Sequence, residues 1–451
     1  MNLESFFQLK ERGTDVRTEV FAGLTTFMTM AYIIFVNPQI LSNAGLPVSA
    51  TMSATCLAAG IMCIAMGIFT NFPITMAAGM GLNAAVAFQL VIGSGLTYQS
   101  AMGIIVMEGV LITLLVLTGF RQAVMNAIPV ELKKAIGAGI GLFIAFIGFQ
   151  EAGFIVKNDA TMVSLGSFNT WAVLVTVIGF FFTAALLARK IHGALLYGIL
   201  GTTALSIVIN FLTGGTAFPI QGQAVIPRSL LQMPDFSTLG QFDLNAISQL
   251  GIVATSLLVF SIMLSDFFDT MGSVIAIGVK ANLLDKNGNF PKSEKVLLVD
   301  SLGAVAGGVM CTASNTCYIE AASGVTQGGR TGLMPVVTGI LFLLAMFFTP
   351  IAGIVPAAAT APALILVGFL MLSVIHDIDF TCFYTGFPAF LTLLGMPFTY
   401  SISNGIGFGF IAYALTHLLT GRGKQVHGMV YLIAFVFSID FMLPWIHSLL
   451  K

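Results

Sequence analysis

The chain has 451 residues, of which 57% are hydrophobic and 8% are charged, and its formal net charge is −1. Soluble domains carry about 25% charged residues, so this composition excludes a soluble protein and predicts an all-α integral membrane protein. The balanced charge gives no basic surface, and we expect no nucleic acid partner. The five cysteines include no CxxC pair and the five histidines have no metal-ligand spacing. We therefore predict no metal, no cofactor and no enzymatic activity.

Apolar segments, all predicted as helices, fill most of the chain. In chain order they cover residues 19–42, 50–70, 74–92, 98–120, 132–150, 170–188, 193–212, 246–277, 295–310, 312–327, 331–350, 355–375, 384–398 and 401–419. A polar loop, 213–245, separates the first seven segments from the last seven. Seven segments on each side predict a 7+7 inverted repeat, because an odd number of spans turns the second copy over.

Basic residues predict the orientation, because cytoplasmic loops carry an excess of lysine and arginine. With a cytoplasmic N-terminus and fourteen spans, the inside loops hold 15 of the 18 basic residues. The sequence therefore predicts fourteen transmembrane segments in the plasma (inner) membrane, with the N-terminus in the cytoplasm. A further apolar stretch, 428–447, contains Asp440 and Pro444 and is compatible with an interfacial helix, a hairpin or a fifteenth span.

The stretch Cys311–Arg330 is polar and rich in glycine, although apolar segments surround it. Polar or irregular backbone at membrane depth is tolerated where it lines a cavity, so we predict a broken, half-length segment beside a solute site. The third segment contains a similar sequence: residues 81–85 read GLNAA and residues 318–322 read YIEAA. This match predicts that Asn83 and Glu320 are equivalent positions. Interrupted segments at matching places in two halves indicate a transporter site.

Five carboxylates lie inside apolar segments: Glu108, Asp266, Asp269, Asp300 and Glu320. A charge at the bilayer centre costs at least ~2.5–3.5 kcal/mol, so we expect each of them to face protein or water. Burial favours the neutral form of a carboxyl group, and a protonatable acid that faces a polar solute is the minimum that a proton-coupled symporter needs. We assign this role to Asp269 and Glu320, keep Asp300 as an open candidate, and expect Asp266 and Glu108 to be structural.

Asp266 and Asp269 are three residues apart and therefore share one helical face. The stretch 246–277 is too long for one simple span, and a span over 257–277 places Asp269 near its middle. An intramembrane enzyme could use the same two residues as an aspartyl dyad. No second catalytic motif accompanies the pair, so this alternative stays secondary to transport.

Several longer motifs resemble one known family. They are TDVRTEVFAGLTTFMTMAYIIFVNPQIL, AAGMGLNA, DFFDTMGS, VDSLGAVAGG and YIEAASGVTQGGRTGL, and the resemblance extends from about residue 5 to residue 420. These motifs are similar to those of the AzgA-type purine permeases, a branch of the nucleobase–cation symporter 2 (nucleobase–ascorbate) family. The resemblance implies a fourteen-helix inverted repeat with core and gate domains, and half-helices with short strands in segments 3 and 10. It also implies proton-coupled purine import, elevator-type movement and a homodimer in the lipid membrane.

The resemblance further implies roles for single residues. The family's carboxylates in segments 8, 9 and 10 fall on Asp269, Asp300 and Glu320, and the polar residue one turn after the first of these falls on Ser273. The predicted substrate-binding residues are Asp269, Glu320, Ser273, Asn83, Thr26 and Thr29, and the predicted proton-coupling residues are Asp269, Glu320 and Asp300. The hydroxyls of Thr26 and Thr29 could instead bond their own helix backbone.

The predicted domains follow the same division. The core domain comprises 1–122 and 216–350, the gate domain comprises 123–215 and 351–420, and 421–451 is a terminal apolar segment. The predicted function is import of hypoxanthine, guanine or adenine by proton symport. The alternative on the same fold is an anion transporter or channel of the sulfate/bicarbonate type, which would require a positive site.

Overall fold

The structure, a computed structural model, describes residues 3–118, 127–219, 222–227, 229–283 and 293–449. Ten helices in these ranges are long and apolar enough to cross a membrane. The prediction of a multi-pass, mostly helical membrane protein is confirmed. The count of fourteen spans and the 7+7 repeat stay predictions.

The first half of the chain forms nine helices and three strands among the described residues. They are α1 (Leu3–Phe6), α2 (Val16–Met30), α3 (Ile33–Ser42), α4 (Val48–Thr70), β1 (Thr75–Ala78), α5 (Met80–Ala84), which continues as a π-helix over Ala85–Gly93, α6 (Tyr98–Leu117), α7 (Val130–Glu151), β2 (Ile155–Asn158), β3 (Met162–Leu165), α8 (Trp171–Ala188) and α9 (Ala194–Leu212).

The second half of the described chain adds ten helices and one strand. They are α10 (Ala246–Leu250), α11 (Ile252–Lys280), α12 (Ser293–Val309), β4 (Asn315–Tyr318), α13 (Ala321–Thr326), α14 (Leu333–Ala345), α15 (Thr349–Gly353), α16 (Ala357–Leu372), α17 (Phe383–Thr399), α18 (Ile402–Leu419) and α19 (Gly428–Leu449).

The first predicted segment, 19–42, is two helices rather than one. Helix α2 ends at Met30 and α3 begins at Ile33, so the backbone is interrupted around Tyr32. Pro38 lies inside α3 and has no N–H to give to the carbonyl one turn before it. The preceding turn is tighter than an α-helix, since the Ile34 N–H donates to the Ala31 carbonyl at 3.2 Å.

The helix that contains the predicted span 257–277 extends beyond it at both ends, and the span itself stays a prediction. Helix α11 has 29 residues and begins at Ile252, because Gly251, with a φ of 82°, separates it from the short helix α10. At about 1.5 Å per residue α11 is roughly 43 Å long, which exceeds the ~30 Å hydrocarbon core. Its central residue is Asp266, with fourteen residues on each side (252–265 and 267–280), and Asp269 lies three residues further on.

The terminal stretch 428–447 forms one continuous helix, α19, so the hairpin alternative is wrong. Helix α19 packs against α18, where a Cβ at Gly407 would lie 2.8 Å from the Phe437 ring. Whether α19 crosses the membrane stays a prediction.

The long helices pack mainly within two groups. The first group consists of α2, α4, α6, α11, α12 and α14, and the second consists of α7, α8, α9, α16, α17 and α18. Fewer contacts join the groups, chiefly those of α11 with α7 and α18 and of α2 with α9. The core and gate domains with boundaries at 122, 215, 350 and 420 stay a prediction.

A buried carboxylate ties α2 to the start of α14. The Glu19 side chain is fully buried, and it accepts the backbone N–H groups of Arg330 at 2.7 Å, Thr331 at 3.2 Å and Met334 at 3.1 Å. Three orphan N–H groups near a helix start are thereby satisfied by one side chain.

We expect Glu19→Gln to destabilise the protein, because an amide NH₂ would face backbone donors in place of one carboxylate oxygen. Hydrogen bonds to charged groups contribute about 1.5–3 kcal/mol each, so the thermal unfolding midpoint in detergent should fall by several degrees. Glu11→Gln is the matched control, since Glu11 is exposed on the same N-terminal segment. Equal midpoints for the two variants would contradict this role of Glu19.

Candidate substrate site

Two short antiparallel strands pair with each other and pack against helices of the first group. Strand β1 pairs with β4 from Thr75 opposite Tyr318 to Ala78 opposite Asn315. Each strand continues within three residues into a short helix, α5 after β1 and α13 after β4. Segments 3 and 10 therefore contain the strands and half-helices that the resemblance implies.

The strand register corrects the predicted equivalence of Asn83 and Glu320. Strand β1 covers residues 75–78 and β4 covers residues 315–318. A two-fold relation that places one strand on the other makes residue 75 equivalent to 315 and residue 78 equivalent to 318, an offset of 240. With this offset Glu320 is equivalent to Met80, and Asn83 is equivalent to Ser323. The local match of GLNAA to YIEAA is thus three residues out of register.

Local backbone geometry explains how β4 enters the site. Cys311 and Ala313 have φ values of 57° and 64°, a left-handed conformation that L-residues adopt at a cost and that clusters at functional sites. The two residues reverse the chain after α12. The chain then leaves β4 through Glu320, which is the residue before the first turn of α13.

Asp269 and Glu320 come together in this region from different elements. Asp269, on α11, accepts a hydrogen bond from the Thr316 hydroxyl at 3.2 Å. Glu320 accepts one from the Tyr32 hydroxyl at 2.7 Å. The two carboxylates lie close enough to interact electrostatically, and both are partly exposed. Across the described ranges, neither forms an ion pair with a lysine or arginine.

The other two acids of this region, Asp266 and Asp300, are buried and form hydrogen bonds in or next to β4. The Ser314 hydroxyl donates to Asp266 at 2.5 Å. Asp300 accepts the Thr270 hydroxyl at 2.7 Å and the Cys317 backbone N–H at 3.2 Å. Both acids are 1% exposed, whereas Asp269 and Glu320 are partly exposed. The structural role expected of Asp266 stays a prediction.

Ser314 and Thr316 reach Asp266 and Asp269 because of matching periodicities. Alternate strand residues face the same side, and residues three apart on a helix share a face. Ser314, one residue before β4, and Thr316, within β4, therefore present two hydroxyls to two acids on α11. Asp300 lies on α12, and its charge interacts with that of Asp269. Its role in proton coupling stays a prediction.

Both predicted threonine hydroxyls donate to their own helix backbone: Thr29 to the Thr25 carbonyl at 2.5 Å and Thr26 to the Ala22 carbonyl at 2.9 Å. Thr29 also lies beside the half-helix that follows Glu320. Its hydroxyl is 2.7 Å from that of Ser323, which donates to the Glu320 carbonyl at 2.7 Å. Ser273 is buried one turn after Asp269 on α11.

Asn83 belongs to a separate buried network. Its amide donates to the Asn37 side chain at 3.0 Å, and Asn37 donates to the Thr55 hydroxyl at 2.8 Å and the Thr312 carbonyl at 3.2 Å. Within the described part of the chain, the hydrogen bonds of Asn83 do not reach Asp269 or Glu320, and its Oδ1 atom has no hydrogen-bond partner there.

Tyr32 and Thr316, whose hydroxyls donate to Glu320 and Asp269, were not predicted from the sequence. One signal was available for Tyr32, since it follows Thr25 and Thr29 at spacings of seven and three residues and thus shares their helical face. For Thr316 the signal was its alternation with Ser314. The contact partners could not be paired from sequence, because 288 residues separate Tyr32 from Glu320.

Gly324 allows α13 to lie directly against α2. A Cβ at this position would lie 2.1 Å from the Thr26 hydroxyl oxygen and 2.6 Å from the Ala22 carbonyl oxygen. We expect Gly324→Ala to displace the half-helix next to Glu320 and lower the substrate uptake rate by roughly tenfold or more, which corresponds to about 1.4 kcal/mol. Gly137→Ala is the control, because no atom lies within 4 Å of its added Cβ. Initial uptake rates, normalised to protein amount, check this, and equal rates would contradict it.

Comparison with known proteins decides the family. A family model described as "Permease family" matches residues 17–408. The chain belongs to this permease family. It is 42% identical to the adenine permease AdeQ of Escherichia coli over 98% of this chain and 96% of that protein. It is 40% identical to the guanine/hypoxanthine permease PbuG of Bacillus subtilis over 98% of this chain and 99% of that protein.

These relatives confirm the predicted resemblance to the purine permeases of the nucleobase–ascorbate family. Among solved structures, the transmembrane domain of a cyanobacterial bicarbonate transporter, BicA, is similar with a TM-score of 0.64 and 13% identity. That likeness covers 86% of this chain and 97% of the other, and it concerns the fold alone. A permease family is consistent with the prediction that the chain is a transporter and not an enzyme.

Proposed function

We propose that this permease imports purine nucleobases, with hypoxanthine, guanine or adenine as candidates, together with protons. The observation that carries the proposal is the pair formed by Asp269 and Glu320, two partly exposed acids beside the paired strands β1 and β4. The names of the relatives, which specify adenine and guanine/hypoxanthine, support purines over other solutes.

The chemistry of the pair suits a purine. A carboxylate has two acceptor oxygens. The Thr316 hydroxyl donates to Oδ2 of Asp269, and the Tyr32 hydroxyl donates to Oε1 of Glu320. The second oxygen of each acid accepts a ring or exocyclic N–H of the base. One of the two, Asp269 in our proposal, also takes up and releases the coupling proton, because two close acids resist carrying two negative charges.

Alternating access would follow from movement of the first helix group against the second. Such an elevator-type movement is consistent with the packing, since most contacts of the long helices lie within the groups. We further propose a plasma-membrane location with a cytoplasmic N-terminus, and assembly as a homodimer.

Substrate class is tested by competition. Uptake of labelled hypoxanthine into vesicles containing the purified protein is measured with excess unlabelled adenine, guanine, hypoxanthine, uracil or cytosine, at two pH values. We expect the purines to compete and the pyrimidines to leave uptake unchanged. Equal competition by uracil would contradict purine selectivity.

The alternative, an anion carrier of the sulfate/bicarbonate type, rests on likeness of fold. Two carboxylates without a basic partner among the described residues oppose the binding of an anion. Flux of labelled sulfate or bicarbonate through the same vesicles, without purine uptake, would establish the alternative instead.

A further inference from the structure

A groove of about 300 Å³ lies between the two helix groups. Its lining does not include the carboxylate pair Asp269 and Glu320. Phe27, Ala31 and Ile34 form one wall, Met52 of α4 and Leu344 of α14 form another, and Leu196 of α9 closes it from the second group. All its lining residues are apolar. The groove therefore offers no hydrogen bond to a nucleobase, an ion or a lipid headgroup.

The mouth of the groove lies on a segment that is long and apolar enough to cross a membrane. Leu344 and Phe348, at its mouth, are 55% and 42% exposed, whereas Met52, in its interior, is 1% exposed. The segment that carries the mouth is Leu333–Ile351. Hydrocarbon is thus the medium that meets the opening.

The dimensions match part of one lipid chain. The lining extends from Leu341 on α14 through the 3-10 turn Met346–Phe348 to Ile351 on α15, which is roughly 15–20 Å at about 1.5–2 Å per residue. This length is comparable to half of the ~30 Å hydrocarbon core, or the depth of one leaflet. The volume holds about ten groups of ~30 Å³, and apolar cavities exclude water.

We propose that this groove binds one acyl chain of a membrane phospholipid. Hydrocarbon gains no hydrophobic free energy by moving from the bilayer into an apolar groove, so binding rests on close van der Waals contact. The groove selects chains by shape, and a variant that fills it removes binding without adding or removing any charge.

The bound chain packs behind the helix interruption that positions Tyr32. Ala31, on the groove wall, precedes Tyr32 directly, and the Tyr32 hydroxyl donates to Glu320. The two helix groups touch next to the groove, where a Cβ at Gly193 would lie 3.0 Å from the Met28 carbonyl oxygen. The lipid chain therefore fills the boundary between the groups beside the first helix of the site.

Fluorescence quenching tests the proposal without any transport assay. The two native tryptophans are replaced (Trp171→Phe and Trp445→Phe), and a single indole is introduced by Met52→Trp in the groove or by Met66→Trp as the matched control. Both methionines lie on α4 and are at most 1% exposed, but only Met52 lines the groove. The proteins are reconstituted into phosphatidylcholine brominated on its acyl chains.

We expect the indole from Met52→Trp to be quenched at least twofold more than the one from Met66→Trp. Adding Ala345→Phe, which fills the groove, should remove this excess quenching. Equal quenching in the two single-indole proteins, or excess quenching that Ala345→Phe leaves unchanged, would overturn the proposal.

A second measurement does not need the tryptophan variants. Phospholipid that remains bound to the wild-type protein after purification in detergent is counted by mass spectrometry and compared with that bound to Ala345→Phe. We expect one lipid fewer per chain in the variant. Equal lipid content would overturn the proposal, and neither experiment depends on which solute is transported.

Discussion

Asp269→Asn and Glu320→Gln should each abolish concentrative purine uptake. Both substitutions keep the volume of the side chain and remove its charge and one acceptor oxygen. Hydrogen bonds to charged groups contribute about 1.5–3 kcal/mol, so the Kd for purine should rise by roughly 10- to 150-fold. Equilibrium binding of labelled hypoxanthine to the purified variants measures this rise.

The two variants should differ in their response to protons. Asparagine at position 269 cannot take up a proton, so we expect residual uptake by Asp269→Asn to be insensitive to an imposed proton gradient. Asp159→Asn is the control, since the Asp159 side chain is 94% exposed in a loop, and it should transport like the wild type. Wild-type binding by both Asp269→Asn and Glu320→Gln would refute the proposed site.

A cross-link between Gln89 and Ser403 should stop transport. The buried Gln89 amide, on the π-helix after α5, donates to the Ser403 hydroxyl at 2.5 Å and accepts the Ile402 N–H at 3.1 Å. These bonds join the segment that follows β1 and α5 to the start of α18, in the second helix group. The proposed movement of one helix group against the other would separate these residues.

The test joins Gln89→Cys to Ser403→Cys with a short thiol-specific cross-linker in a Cys382→Ser background. Cys382 is the native cysteine that is not buried, while the other four are buried. We expect uptake to fall to background after cross-linking and to return when a cleavable linker is reduced. Each single-cysteine variant, treated in the same way, should keep its activity. Full activity of the cross-linked protein would contradict movement at this contact.

Much of the helix pattern was predictable because lipid imposes it. A spanning helix must hold about 20 apolar residues, and most predicted ends lie within a few residues of those observed, as for α9, predicted over 193–212 and found at Ala194–Leu212. The interruptions were harder to place. The interruption around Tyr32 is associated with Pro38, which lacks a backbone N–H, and the one at Gly251 with a positive φ angle. A hydropathy pattern contains neither signal.

The two acids of the site could be predicted from the sequence, but the residues that contact them could not. Asp269 and Glu320 stand out because a charge in an apolar segment is expensive. Their partners Thr316 and Tyr32 carry no such signal, since hydroxyl groups are common in membrane helices. The register of β1 against β4 depends on strand pairing between the two halves of the chain, and the five-residue match misplaced it by three positions.

Proton-driven accumulation of labelled hypoxanthine by vesicles containing only this protein tests the central claim most directly. With an acidic exterior, we expect accumulation above the external concentration, which a protonophore abolishes and a sodium gradient alone does not produce. Accumulation that the protonophore leaves unchanged would contradict proton-coupled purine import.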